Sequence, residues 1–87
     1  MKDEVFLENL PRPANQILNV LWNRNREMGV DELTDALNQD YVVRLGRREV
    51  QRFVRLLLHA EYIEARRYGF HIYYRTLGWE YAADETR

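Results

Sequence analysis

The sequence predicts an α+β domain: a three-helix core closed by a C-terminal β-hairpin. Three observations carry that reading. Apolar residues recur at helical spacing in three separate stretches. Two β-rich segments follow them, parted by a glycine. The elements come in the order helix, turn, helix, connector, helix, hairpin, which is the winged helix-turn-helix. In that arrangement three apolar stripes face one another and the hairpin, the wing, covers the open side.

Residues 1–12 form a lead-in of one or two helical turns, with Val5, Phe6 and Leu10 available to cover part of the core. Pro11 and Pro13 punctuate the chain, and Pro13 suits the first turn of a helix. The first helix runs from Ala14 to about Asn25. Ala14, Ile17, Leu18, Leu21 and Trp22 share one face, and Asn15, Asn19 and Asn23, four apart, are assigned to the solvent face. The second helix opens at Val30-Asp31-Glu32-Leu33 with Asp31 as N-cap, and Leu33, Ala36 and Leu37 make its stripe. Tyr41 to Gly46 is a connector, extended in part because of Val42 and Val43.

The third helix carries the sharpest amphipathic pattern, from about Arg47 to His59 or Ala60. Val50, Phe53, Val54, Leu57 and Leu58 fall at i, i+3, i+4, i+7 and i+8, one buried face, with Gly46 as cap. Arg48, Gln51, Arg52 and Arg55 cluster on the opposite face. Tyr62 to Arg67 and Phe70 to Leu77 then read as strands about Tyr68-Gly69. The loop type stays open, because the glycine lacks a preceding Asn or Asp. The winged-helix domain thus spans residues 13–77. Residues 78–87 form a tail, in which Gly78 ends the second strand and Trp79 and Tyr81 are placed to fold back over the core or to meet a second copy. Phe53, Trp22 and one of Tyr73 or Tyr74 are assigned to the core.

Composition narrows the chemistry. Eighty-seven residues make one domain, and a 46% hydrophobic, 31% charged chain is not a disordered one. No apolar run approaches the roughly 18 residues of a membrane span, and Met1-Lys2-Asp3-Glu4 does not open like a signal peptide, so a cytoplasmic protein is expected. There is no cysteine and no serine, which removes disulfides, thiolate zinc sites and the usual acyl-transfer nucleophiles. Gly29, Gly46, Gly69 and Gly78 are scattered at turns and cradle no phosphate. His59 and His71 lie on different elements with no carboxylate at a ligand spacing. No enzyme activity, cofactor or metal is expected.

The net charge of −1 hides an asymmetry. Residues 1–40 carry four basic and eight acidic groups, a balance of −4; residues 41–75 carry eight arginines against three glutamates, a balance of +5. Of the 13 basic residues only Lys2 is lysine. Arginine is the residue suited to bidentate contacts with phosphate and guanine. Once the inner face of helix 3 is taken up by the core, Arg48, Gln51, Arg52 and Arg55 are held outward. A helix fits the major groove, where arginine grips guanine and glutamine grips adenine. Arg44 and Arg47, at the start of that helix, are candidates for phosphate. Arg66 and Arg67, near the hairpin turn, are candidates for phosphate or the adjacent minor groove.

The stretches ANQILNVLW, GVDELTDALN and RREVQRFVRLLLHAEYIEARRYGFHIYYRTL, covering about residues 13–77, resemble the DNA-binding domain of the penicillinase-repressor family. Leu21-Trp22 matches its leucine-tryptophan pair at the end of an early helix. His59-Ala60-Glu61-Tyr62-Ile63 stands at its glycine-like turn into the wing, and Tyr73-Tyr74-Arg75 matches the end of its second wing strand. The resemblance implies a transcriptional repressor that binds double-stranded operator DNA through helix 3 and wing. A palindromic operator would call for a homodimer. A second reading stays open: a winged-helix protein-interaction module without DNA binding, favoured by the near-neutral net charge and by the lack of that family's C-terminal dimerisation arm.

Overall fold

The computed structural model describes residues 6–77. Three helices, α1 (Arg12–Arg24), α2 (Val30–Asp40) and α3 (Arg47–His59), precede strands β1 (Ile63–Tyr68) and β2 (His71–Thr76). The strands pair antiparallel from Ile63↔Thr76 to Tyr68↔His71, which leaves Gly69-Phe70 as a two-residue turn. Gly69 has φ +64 and Phe70 does not share the positive sign, the pattern of a type II′ turn. This settles the loop type that the sequence left open and moves the turn from Tyr68-Gly69 to Gly69-Phe70, because Tyr68 pairs with His71 and Phe70 falls outside the second strand. Helices and hairpin together form a winged helix.

The core draws on every element. Ile17 and Leu21 of α1, Leu33 and Leu37 of α2, Val50, Val54 and Leu57 of α3, and Ile63 of β1 are all buried. Met28, between α1 and α2, joins them and also acts as a one-residue third strand. Its N–H donates to the Tyr74 carbonyl at 3.0 Å and its carbonyl accepts from the Tyr74 N–H at 2.8 Å. That bridge fastens the outer edge of β2 to the helical core.

Four expectations are corrected. First, the asparagine face of α1 is not solvated: Asn15 is 2% and Asn19 3% exposed. The lead-in covers this face at Asn15, and the Asn15 amide holds it there. Its Oδ1 accepts from the Leu7 N–H at 2.8 Å, and its Nδ2 donates to the Leu7, Leu10 and Pro11 carbonyls at 3.0, 3.3 and 3.4 Å. Asn19 Nδ2 donates to the Asn15 carbonyl at 3.0 Å. Second, the lead-in buries Leu10 and, partly, Leu7, while Phe6 is exposed. Third, Trp22 and Phe53 stand at the margin of the core. Trp22 lines an apolar recess of about 260 Å³ with Leu7, Leu18, Tyr62 and Leu77. Phe53 is half-buried beneath the Arg52 guanidinium, 5.9 Å from its ring centre. Tyr74 packs on the core from β2. Val5, Gly78, Trp79 and Tyr81 lie outside the described residues.

Fourth, the N-cap of α2 is Gly29, not Asp31. Glu32 makes the difference: its Oε1 accepts from the Gly29 N–H at 3.1 Å while Oε2 accepts from Arg26 at 2.9 Å. The same device opens α3, where Glu49 Oε1 accepts from the Gly46 N–H at 3.0 Å. Glycine has no side chain to return the bond, so each cap is half of a capping box. The Gly29 N–H, and after it Arg26, hold the Glu32 carboxyl below the ordinary glutamate range. A depressed folded value stabilises the fold above the unfolded value and stops doing so as the pH falls through the folded one. Glu32→Gln should therefore melt slightly below the wild type at neutral pH, with the gap closing in acid. Thermal melts across that range test this, and a gap that stayed constant or widened in acid would contradict it. The effect is small because the side chain is about half exposed.

The end of α3 takes its shape from Glu61. The Glu61 N–H donates to the Leu58 carbonyl at 3.1 Å and the Tyr62 N–H to the Leu57 carbonyl at 3.0 Å, a Schellman motif with Glu61 at φ +63. Glycine favours this position, and a non-glycine residue there costs roughly 1–2 kcal/mol. Glu61→Gly is expected to raise stability by about 1 kcal/mol, part of the relief being offset by the freer unfolded chain. A denaturant midpoint that did not rise would mean that Glu61 gains as much from its surroundings as its backbone loses.

Candidate nucleic-acid interface

The outward face of α3 follows directly from its inward one. Val50, Val54 and Leu57 are locked into the core, so the positions about 100° to 180° around the helix stand in solvent. Arg48, Gln51, Arg52 and Arg55 together line one shallow depression of about 410 Å³, with Glu49 at its edge. Glu49 is occupied with the Gly46 cap. Arg48, Arg52 and Arg55 are exposed and have no ion pair among the described residues, so their forks are open to an anion.

The other predicted positions are distributed around this face. Arg47 turns away from it: its Nε lies 3.1 Å from Asp31 Oδ1, an exposed pair that ties the first turn of α3 to the first turn of α2. Arg44 is exposed in the connector. That connector is anchored by Asn38, whose Nδ2 donates to the Leu45 carbonyl and whose Oδ1 accepts from the Leu45 N–H, both at 3.3 Å. Arg66 and Arg67 are exposed near the tip of β1, opposite Tyr73 and Ile72. Being consecutive on a strand, they leave opposite faces of the hairpin. The structure thus brings the four α3 residues into one surface, pairs Arg47 with an acid, and places Arg44, Arg66 and Arg67 on its flanks.

A second groove, of about 330 Å³, lies between the first turns of α2 and α3 on one side and the wing on the other. Asp31 and Glu32 of α2 with Arg47 and Gln51 of α3 face Phe70, Ile72 and Tyr73. Gln51 borders both hollows, so the α3 face and the wing tip belong to one continuous surface. Sequence reasoning left Phe70, Ile72 and Tyr73 out of this surface. Strand alternation marks which side of a hairpin a residue takes, but not what that side faces. Among the described residues no three His, Asp or Glu side chains group as metal ligands. No helix among them is long and apolar enough to cross a membrane.

No family model matches the chain, and neither does any curated protein. Solved structures do. A structure of the DNA recognition and protein interaction domains of HOP2 superposes with a TM-score of 0.66 at 22% identity, covering 75% of this chain and 98% of that one. The ferric uptake regulator of Francisella tularensis, solved with iron, gives a TM-score of 0.66 at 18% identity over 87% of this chain and 57% of the regulator. At such identities the likeness is one of fold.

Proposed function

We propose that this chain is a DNA-binding transcriptional regulator, a repressor, that lays α3 in the major groove and its wing against the neighbouring backbone. The observation that carries the reading is the α3 face: three arginines without ion pairs among the described residues, and one glutamine, on a helix whose other side is fixed in the core. Arg48, Gln51, Arg52 and Arg55 read base edges. Arg44, Arg66 and Arg67 hold phosphates, and Arg47 exchanges Asp31 for a phosphate on binding. The HOP2 structure, described as containing DNA recognition domains, supports the DNA reading. The resemblance to the penicillinase-repressor family supports repression, in the cytoplasm and as a homodimer on a palindromic site.

The test is retention on a mixed pool of genomic duplex fragments at low and at physiological salt. Discrete fragments that survive physiological salt are the expected result, with affinity falling steeply as salt rises. No retention at low salt would overturn the reading. Weak binding with a flat salt dependence would favour a protein-docking module instead, a use that the protein interaction domains in the HOP2 structure also bring to mind.

A further inference from the structure

We infer that Phe70, at the tip of the wing, is an apolar wedge that enters the minor groove beside the α3 site and prises a base step apart; this rests on the DNA reading above. Phe70 is the second residue of the hairpin turn, and its side chain is 102% exposed. A Cβ built on Gly69 would meet nothing within 4 Å, so the turn itself is open to solvent. A single exposed apolar side chain is ordinary on a protein surface. Flanks, aim and stiffness set this one apart.

The flanks are cationic. Arg66 and Arg67 lie four and three residues before Phe70, exposed and without ion pairs among the described residues. They are placed to grip phosphates on either side of an inserted ring. The aim is set by the groove that Phe70 and Ile72 share with Arg47 and Gln51, whose two carboxylates, Asp31 and Glu32, are paired with Arg47 and Arg26 in the free protein, so that a duplex held by α3 passes the tip. The stiffness comes from ties along the wing, from the last pair before the turn to the middle of β2. Tyr68 donates its hydroxyl proton to Glu27 Oε1 at 3.0 Å, the Tyr68 and Tyr73 rings meet at 5.6 Å, and Met28 pairs with Tyr74. A wedge on a tethered hairpin cannot fold aside when it meets the bases. Unstacking a step is unfavourable. Burying a fully exposed ring and drawing a bent duplex onto more protein surface offset it.

The experiment uses the full chain and a duplex of about 30 base pairs rich in TA steps, which part most readily. Dyes at its ends report bending, and 2-aminopurine at a step reports unstacking. Wild type is expected to bring the ends together and brighten the reporter. Phe70→Ala should abolish both signals and weaken binding by about tenfold. Phe70→Leu, which keeps an apolar wedge, should retain most of the bend. Phe70 packs on nothing, so both variants should melt with the wild type. If Phe70→Ala bends and binds like wild type, while loss of the α3 arginines still abolishes binding, the wedge is overturned and the α3 reading stands. If wild type retains no duplex at low salt, both fall.

Discussion

Replacing Arg48, Arg52 and Arg55 together with alanine is expected to lower duplex affinity at least about a hundredfold while leaving the fold intact. A single base-reading arginine is worth roughly 1–3 kcal/mol, so Arg52→Ala alone should be measurable. The structural cost is slight, because all three side chains are exposed and their helix is held by Val50, Val54 and Leu57. Arg52 also loses its place over the half-buried Phe53 ring, a contact worth about 1 kcal/mol or less. The salt dependence separates roles. Each lost phosphate contact should lower the slope by about one, whereas a lost base contact should relax sequence preference. Triple replacement by lysine makes a sharper control: it keeps the charge and the slope but cannot grip guanine with a planar fork. Unchanged affinity in the alanine variant would remove α3 as the DNA surface.

Asn15→Ala is expected to cost about 1–3 kcal/mol of stability, unusually much for a position that reads as polar surface. The buried amide makes four hydrogen bonds to the lead-in. Without it the Leu7 N–H and the Leu10 carbonyl must find water or stay unpaired, while the Leu7 and Pro11 carbonyls keep the Leu10 and residue-15 backbone N–H groups. Hydrogen exchange should show the Leu7 amide losing protection, and a denaturation midpoint matching wild type would refute the latch. Asn15→Asp gives a second readout with a definite sign. A buried carboxylate beside three carbonyl oxygens has its folded pKa raised, so the variant should be least stable near neutrality and recover as acid protonates it.

The helices and hairpin were legible because their signals are local. The apolar periodicity of residues 47–59 and the glycine between two β-rich runs each specify an element without reference to the rest of the chain. The outward arginine face was legible for the same reason: it is the complement of the apolar one. What escaped depends on contacts at a distance. Asparagines spaced by four on a helix look like solvent, and the lead-in folding back over eight residues is what encloses Asn15. The Met28 bridge leaves no sequence signal, since one residue has no alternation. The cap of α2 was readable and missed. Gly29 and Glu32 repeat the spacing of Gly46 and Glu49, but the familiar preference for aspartate at N-cap drew attention to Asp31.

The pairing of Met28 with Tyr74 has one more consequence. An isolated two-stranded hairpin is marginal in water and would swing on its linker. Fastened through β2 to the segment between α1 and α2, the wing becomes one jaw of a calliper whose other jaw is α3. The gap between the jaws is then set by the protein. On the DNA reading proposed above, a duplex that already has the matching groove-to-groove spacing would fit at no cost, and any other would have to be strained to the same gauge. The clamp would therefore select for helical pitch and groove width as well as for bases, including positions that no side chain touches.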